Sequence, residues 1–478
     1  MIATRDRRLV GRRAVLRGVL GLSALAATGL LSACGQPPAP TQAPAAGAKS
    51  TGEVAKPGQE GSPAPKPAAA APAAGKAAQQ LRRMYWGSPE QVSIEVSVDK
   101  RFSDANSDVA IEGIAVPWPS YRDKLLTMIA GGDIPDVMMV DAYWFPAFIQ
   151  QKMLRPLDDY LQKDSKYSSF KVIKGFWPLP DHHSADGKIY SKVHSGDTPR
   201  IIYFNDNMFK EAGIPNPIEQ DKAGKWDWNA YLEAAKKLTK GSGQDKAFGA
   251  AAYPLSSAMY SFIATNGGKV FSDDRKKCLI SSPETLEAIQ FQMDLIRVHK
   301  VSPLPEESQV LGGDLKAFMA KRLGMFISGI WTGADTRNVK DFEWAIAPLP
   351  KSPRTGYRRT LYKPNSTSVP AVSKNADISW RWMSFDPLGQ NRLMIDQYTD
   401  MAMFEENKQY FLEKSPVKNA PAVFDAFDAN ETTLLQITTK WLEIEKVIND
   451  NLQLVRSGEK QLPDAAKAIE PAVNALLG

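Results

Sequence analysis

The stretch 121–144, YRDKLLTMIAGGDIPDVMMVDAYW, carries the reading of the fold. Leu125, Met128 and Ile129 recur at helical spacing, so Tyr121 to Ala130 is expected to be a helix with one apolar side. Gly131-Gly132 closes it. Asp136 to Val140, DVMMV, then reads as a short apolar strand of the kind buried in a parallel sheet. Asp141, Tyr143 and Trp144 follow that strand directly. In α/β folds the carboxyl ends of strands are where ligands gather.

The same alternation extends outward. Leu81 to Trp86 reads as a strand, Glu90 to Phe102 as an amphipathic segment and 108–116 as a second strand. Further on, IIYFN (201–205) is a strand. WDWNAYLEAAKKLTK (226–240) is a helix capped near Asp227, with Tyr231, Leu232, Ala235 and Leu238 facing inward. Residues 281–300 place Ser before Pro at a first helical turn, followed by Leu286, Ile289, Met293 and Ile296. From about Thr432 the chain is expected to be helical to its end. Strand-helix alternation predicts an α/β class, and the 398 residues after Gln80 exceed one ordinary core, which predicts two domains.

The N-terminal part is different. Residues 5–17 carry six arginines and one acid, and a weakly apolar run follows from Gly18 to Ala33. This is the pattern of a signal peptide, too short for a comfortable membrane span. Leu31-Ser32-Ala33-Cys34 resembles a bacterial lipobox, which implies that Cys34 is lipidated and becomes the mature N-terminus. Cys278 is the other cysteine and a poor disulfide partner, lying deep in what reads as folded chain. Gly11-Arg12-Arg13-Ala14-Val15-Leu16-Arg17 resembles a twin-arginine export signal, with paired arginines serving the general secretory route as the alternative. Residues 35–80 hold no aromatic residue and one Val as their only large aliphatic, too little apolar surface to fold. Such a disordered Pro/Ala-rich tether reaches about 40 Å as a coil and ~140 Å fully extended.

The net charge of +6 belongs mostly to this part. From Leu81 onward 49 bases face 50 acids, a neutral body that argues against nucleic-acid binding.

Eight segments of that body, in order, resemble the family 1 extracellular solute-binding proteins, the maltose-binding-protein-like receptors of bacterial ABC importers. They are the opening stretch 121–144, GKIYSKV (187–193), IIYFNDNMFKEAGIPNP (201–217), WDWNAYLEAAKKLTK (226–240), the run NGGKVF to KVSP (266–303), FMAKRLGMFISGIW (318–331), FEWAIAPLPKSP (342–353) and VPAVSKNADISW (369–380). SWRWMSFDPLGQNR (379–392) is shorter than the family's usual helix there, and DMAMFEENKQYF (400–411) lacks its small Pro-Ala-Arg element. The resemblance implies a periplasmic-binding-protein-like fold, two α/β lobes with a cleft between. Lobe 1 is then 81–196 with 365–400 and lobe 2 is 197–364 with 401–478. HSGDTPR (194–200) and LYKPNST (361–367) are the expected hinges.

A sugar presents a C–H face that packs on aromatic rings and hydroxyls that want directed partners. The body's aromatic residues at predicted strand ends suit that chemistry. The resemblance implies ligand contacts at or near Trp86, Asp141, Tyr143, Trp144 and Trp331, the last matching the family's recurrent Gly-x-Trp. It also implies contacts at His194 and Asp197 in the first crossing and at Tyr260 and Tyr362. Trp226, Trp228, Trp344 and Trp380 sit in helix or sheet motifs and read as structural.

No His-x-x-x-His, Cys-x-x-Cys or Gly-x-Ser-x-Gly pattern occurs, and no carboxylate pair stands out as catalytic. The expectation is therefore a binding protein without enzyme activity, metal or cofactor. It is monomeric, lipid-anchored outside the cytoplasm, and delivers a carbohydrate to ABC permease subunits. The alternatives are an anchored carbohydrate-active hydrolase, or a receptor for glycerol phosphate, a polyamine or another solute. A phosphate would want clustered cations, and only Lys192 and Arg200 lie near the expected site.

Overall fold

The computed structural model describes residues 78–173, 187–195, 199–252, 257–362, 365–426, 432–434 and 437–478. The expected signal, Cys34 and most of the tether lie outside the described residues, as does Asp197.

Ten strands are described: β1 (Gln79–Trp86), β2 (Val109–Val116), β3 (Val137–Val140), β4 (Lys192–Ser195), β5 (Ile201–Asn205), β6 (Met325–Ser328), β7 (Trp344–Ala347), β8 (Thr360–Tyr362), β9 (Asn365–Ser368) and β10 (Thr432–Leu434). The helices that matter below are α1 (Pro89–Ala105), α2 (Trp118–Ala130), α3 (Trp228–Leu238), α4 (Pro283–Arg297), α5 (Gly333–Thr336), α6 (Ala376–Met383), α7 (Pro387–Asp396), α8 (Trp441–Ser457) and α9 (Leu462–Leu477).

The described strands form three sheets: a two-stranded one pairing β8 with β10, and two larger ones that organise the rest. The first has five strands in the order β2-β1-β3-β9-β4. Within it β1 runs parallel to β2 and β3, whereas β9 is antiparallel to both of its neighbours. The second has three strands, β6-β5-β7, and β5 is antiparallel to each neighbour. The chain leaves the first sheet after Ser195 and enters the second at Ile201; it returns between Tyr362 and Asn365. From the end of α7 it goes back once more, for Ile395, Met401 and Phe411 pack with Ile201, Tyr203 and Phe326. The chain thus forms two lobes joined by crossings.

Local sequence explains the element ends. Ser88 begins α1 with a full capping box, its hydroxyl accepting from Gln91 N while Gln91 Oε1 accepts from Ser88 N, and Pro89 takes the first turn, where no amide donor is needed. Asp227 caps α3 by accepting from Ala230 N at 2.8 Å, and Ser282 caps α4. All four residues of β3 and all five of β5 are buried, and both are apolar runs but for the Asn205 that ends β5.

The C-terminal expectation needs correction. Thr432–Leu434 is a strand, parallel to β8, and the helical stretch starts at Trp441 and breaks at Gly458 before α9. Two features decide this. Thr432 and Thr433 are β-branched residues that fit a ladder, and Gly458 adopts a left-handed φ of 87° that ends α8.

Candidate functional site

The carboxyl ends of β1, β2 and β3 build one wall. β1 and β3 are paired only at Arg83–Val137 and Met84–Met138, after which the ladder stops. The Tyr121 hydroxyl sits in the gap, 3.0 Å from both the Met84 and Met139 carbonyl oxygens and accepting from Met139 N at 3.1 Å. Its buried ring carries two tryptophans. Trp86 meets it edge-on with centroids 4.9 Å apart, and Trp144 lies nearly parallel to it at 6.0 Å. Trp86 and Trp144 also touch each other, edge to face at 6.0 Å.

Asp141 is fully buried and held by two donors: Tyr143 N reaches Oδ1 at 3.0 Å and Trp118 Nε1 reaches Oδ2 at 3.2 Å. Trp118 opens α2 directly after β2 and is 46 % exposed, the only aromatic among the large exposed hydrophobic side chains of the described residues. An indole fixed by its own N–H to a buried carboxylate, with half its surface in water, is a rigid flat platform. The sequence reading passed over it. The signal was available, since Trp118 follows a strand end just as Trp86 does, but the helix was expected to begin only at Tyr121.

The second sheet carries Trp331 and its neighbours. Trp331 follows β6 in a 3-10 turn, and the Arg200 guanidinium lies over its ring at 4.8 Å. Gly329 explains the spacing in Gly-x-Trp: a Cβ there would fall 1.6 Å from the Trp331 Cζ3 atom, so the ring can fold back only over a residue without a side chain. Arg200 is itself buried, its amide donating to Thr360 Oγ1 at 2.6 Å. Lys192, the other cation considered for an anionic solute, takes a different course. It is buried inside the first lobe, donates to the Met383 carbonyl and lies 5.5 Å from the Tyr167 ring. Burial pushes its ammonium down to about 7, with Arg83 adding repulsion.

Tyr143 and Tyr260 meet on a residue outside the expected set. Trp441, at the start of α8, stacks on Tyr143 at 5.6 Å and receives Tyr260 edge-on at 5.7 Å and Phe271 at 6.1 Å. It was hidden by the expectation of continuous helix from Thr432. The backbones of His194 and Tyr362 lie in β4 and β8, at the crossings between sheets; their side chains, like Asp197, fall outside the described residues. Trp226, Trp228, Trp344 and Trp380 are packed inside the lobes: Trp226 donates to the Pro348 carbonyl at 2.9 Å, and Trp228 stacks on Phe291 at 4.6 Å. Trp344 stacks on Tyr203, and Trp380 donates to Asp164 Oδ2.

The family model described as bacterial extracellular solute-binding protein matches residues 86–385. The chain belongs to that family. Among curated relatives, a Brucella abortus chain named only as a binding protein is 24% identical over 387 residues, 77% of this chain and 85% of its own length. An arabinooligosaccharide-binding protein of Halalkalibacterium halodurans is 25% identical over 293 residues, 59% of this chain and 62% of that one. Among solved structures, an ABC substrate-binding protein of Listeria monocytogenes in complex with cycloalternan superposes with a TM-score of 0.75 at 24% identity, covering 84% of this chain and 99% of that one. At that identity the likeness shows the fold, the two-lobed α/β architecture of solute-binding proteins. These relatives are binding proteins, extracellular by family, and no helix among the described residues is long and apolar enough to cross a membrane.

Proposed function

We propose that this solute-binding protein is the lipid-anchored receptor subunit of an ABC importer and captures a carbohydrate, an oligosaccharide by preference. The observation that carries this is the Trp118–Asp141 pair: an exposed indole locked to a buried carboxylate. Flat rings set next to directed acceptors suit a solute with apolar faces and many hydroxyls. The two cations near the site are engaged with Met383 and Trp331, which disfavours a phosphate solute. Relatives named for arabinooligosaccharide and maltotriose point to the same chemical class.

Capture works by closure. The open form binds solute, lobe 1 (81–196 with 365–400) and lobe 2 (197–364 with 401–478) close on it, and the closed monomer docks on the permease. A solute favours closure only by the contacts it makes with both lobes. Trp86, Trp118, Asp141, Tyr143, Trp144 and His194 belong to the first side, and Asp197, Tyr260, Trp331, Tyr362 and Trp441 to the second. Cys34 carries the lipid, and residues 35–80 let the body range from the membrane without orienting it. Two acyl chains hold firmly where one is marginal.

The chain is a receptor and not a hydrolase in this reading. A glycosidase needs its two carboxyl groups about 5–9.5 Å apart with the sugar between them. The carboxylate this reading is built on, Asp141, is instead held as an acceptor by Tyr143 N and Trp118 Nε1. The test is thermal unfolding of the protein against mono- and oligosaccharides, glycerol phosphate and polyamines. A solute at a hundred times its dissociation constant adds about 2.7 kcal/mol. A shift with one sugar class, the sugar recovered intact, supports the proposal; a shift only with glycerol phosphate or polyamine removes the sugar assignment, and consumption of the sugar removes the receptor.

A further inference from the structure

The second lobe holds a cavity of its own, away from the crossings. β5 starts beside Arg200, whose guanidinium covers Trp331, and runs from there to Asn205. At ~3.4 Å per residue this puts Asn205 about 17 Å from Arg200. Around that far end lies a cavity of about 330 Å³, with Asn205, Asn207, Glu211, Leu238, Lys240 and Phe342 in its lining. Its size falls within the range of about 300–1,000 Å³ that small-molecule sites occupy.

The backbone orients both asparagines. Asn205 is 1 % exposed, and its Oδ1 accepts from Met208 N at 3.1 Å. Asn207 Oδ1 accepts from Glu343 N at 2.9 Å. A backbone N–H can only donate, so the oxygen of each amide is committed and the nitrogen faces elsewhere. Neither Nδ2 finds an acceptor among the described residues. For Asn205, buried as it is, unused donors cost stability unless a water or a ligand takes them. The charges divide in the same way. Lys321 and Asp341, which also line the cavity, pair with each other at 2.6 Å. Lys240 and Glu211 have no ion-pair partner among the described residues. Leu238 and Phe342 are buried and make the apolar part of the lining.

We infer that this cavity is a second binding site, for a free amino acid with an apolar side chain. The carboxylate accepts from the two Nδ2 groups and from Lys240, the ammonium pairs with Glu211, and the side chain rests on Leu238 and Phe342. Each uncommitted group then meets its complement. A phosphate or a dicarboxylate would set an anion against Glu211, and a neutral sugar would leave both charges unanswered. All of these groups belong to the second lobe, so occupancy neither needs closure nor drives it.

The test is titration calorimetry of the full chain with L-leucine, with leucinol, which lacks the carboxylate, and with isocaproate, which lacks the ammonium. Leucine is expected to bind one to one, and each analogue about tenfold more weakly or worse. Asn207→Asp keeps an oxygen for Glu343 N while replacing the donor with a negative charge, so it should weaken leucine by about tenfold and leave the fold intact. Lys240→Ala, at an exposed position, should weaken it similarly. Trp331→Ala, in the cleft, should leave leucine binding unchanged. Absence of leucine binding overturns the site, and so does equal binding of either analogue. Binding lost in Trp331→Ala but kept in Asn207→Asp puts the amino acid in the cleft, which overturns this site and the sugar reading together. Failure of the sugar panel alone leaves this site standing.

Discussion

Tyr143 and Trp441 lie ring on ring, centroids 5.6 Å apart and planes 10° from parallel, one after a strand of the first sheet and the other at the head of α8. Almost three hundred residues of chain separate them, and both are buried. Tyr260 and Phe271 close on the edges of the same indole. Trp441 is thus the point where the wall built by Asp141–Trp144 meets the second half of the chain.

Trp441→Ala is expected to destabilise the protein by about 3–5 kcal/mol, because a fully buried indole is replaced by a cavity. Trp441→Phe should cost clearly less. The indole Nε1 has no hydrogen-bond partner, so losing it leaves no orphaned group behind. Denaturant unfolding of the two variants checks the order; equal losses would show that the nitrogen matters after all.

Trp118→Ala should cost both binding and some stability. Its ring is 46 % exposed, but its Nε1 donates to the buried Asp141 carboxylate, so a loss of about 1–3 kcal/mol in unfolding is expected. Solute affinity, measured by titration calorimetry, should fall by about tenfold, the equivalent of one aromatic stacking contact. Unchanged affinity would remove Trp118 from the site.

Gly329→Ala acts through Trp331, whose ring occupies the space the new methyl would need. It is expected to lower solute affinity as Trp331→Ala does. The double variant should be scarcely worse than either single one, since both remove the same ring placement. Additive losses would mean that Gly329 matters for some other reason.

Lys192 makes stability depend on pH. Its folded value lies at about 7, below the unfolded value of about 10.4, so the unfolded chain binds more protons between these limits. Stability from this group therefore rises with pH across roughly 7 to 10.4, by up to about 1.4 kcal/mol per unit, and is flat below 7. Lys192→Met should be more stable than the parent at pH 7, with the gain shrinking as pH climbs. A gain constant from pH 7 to 10 would contradict a neutralised lysine.

Arg83 presents the opposite case. It is 1 % exposed, forks to Glu95 and to Asp99 at 2.8 Å, and lies over the Trp382 ring at 4.1 Å. Arg83→Met leaves two carboxylates buried without their cation and is expected to cost about 3–5 kcal/mol. Recovery of that loss as pH is lowered toward 4, where the carboxyl groups take up protons, distinguishes lost charge from lost packing.

The physics of single segments was legible in the chain itself. The stretch 121–144 encodes helix, stop and strand through apolar spacing and paired glycines, and IIYFN reads as a strand because large apolar and aromatic side chains run up to its last residue, Asn205. Gly329 and Trp331 stand two apart in sequence, so their relation is local as well. The two-lobed class came from the resemblance that such segments, taken in order, bear to a known family.

Tertiary structure decided what no local pattern contains. Trp441 joins Tyr143 and Tyr260 only because α8 is folded against both lobes, and Trp118 finds Asp141 only because β2 and β3 flank β1. Lys192 looked like a cleft cation until the pleat of β4 aimed it into the lobe, toward the Met383 carbonyl. Apolar periodicity determines which face of an element is buried, since burial is non-directional and sums along the segment. Which side chains then share a hydrogen bond or a charge depends on ångström-scale placement of distant strands, and that exists only once the sheets have formed.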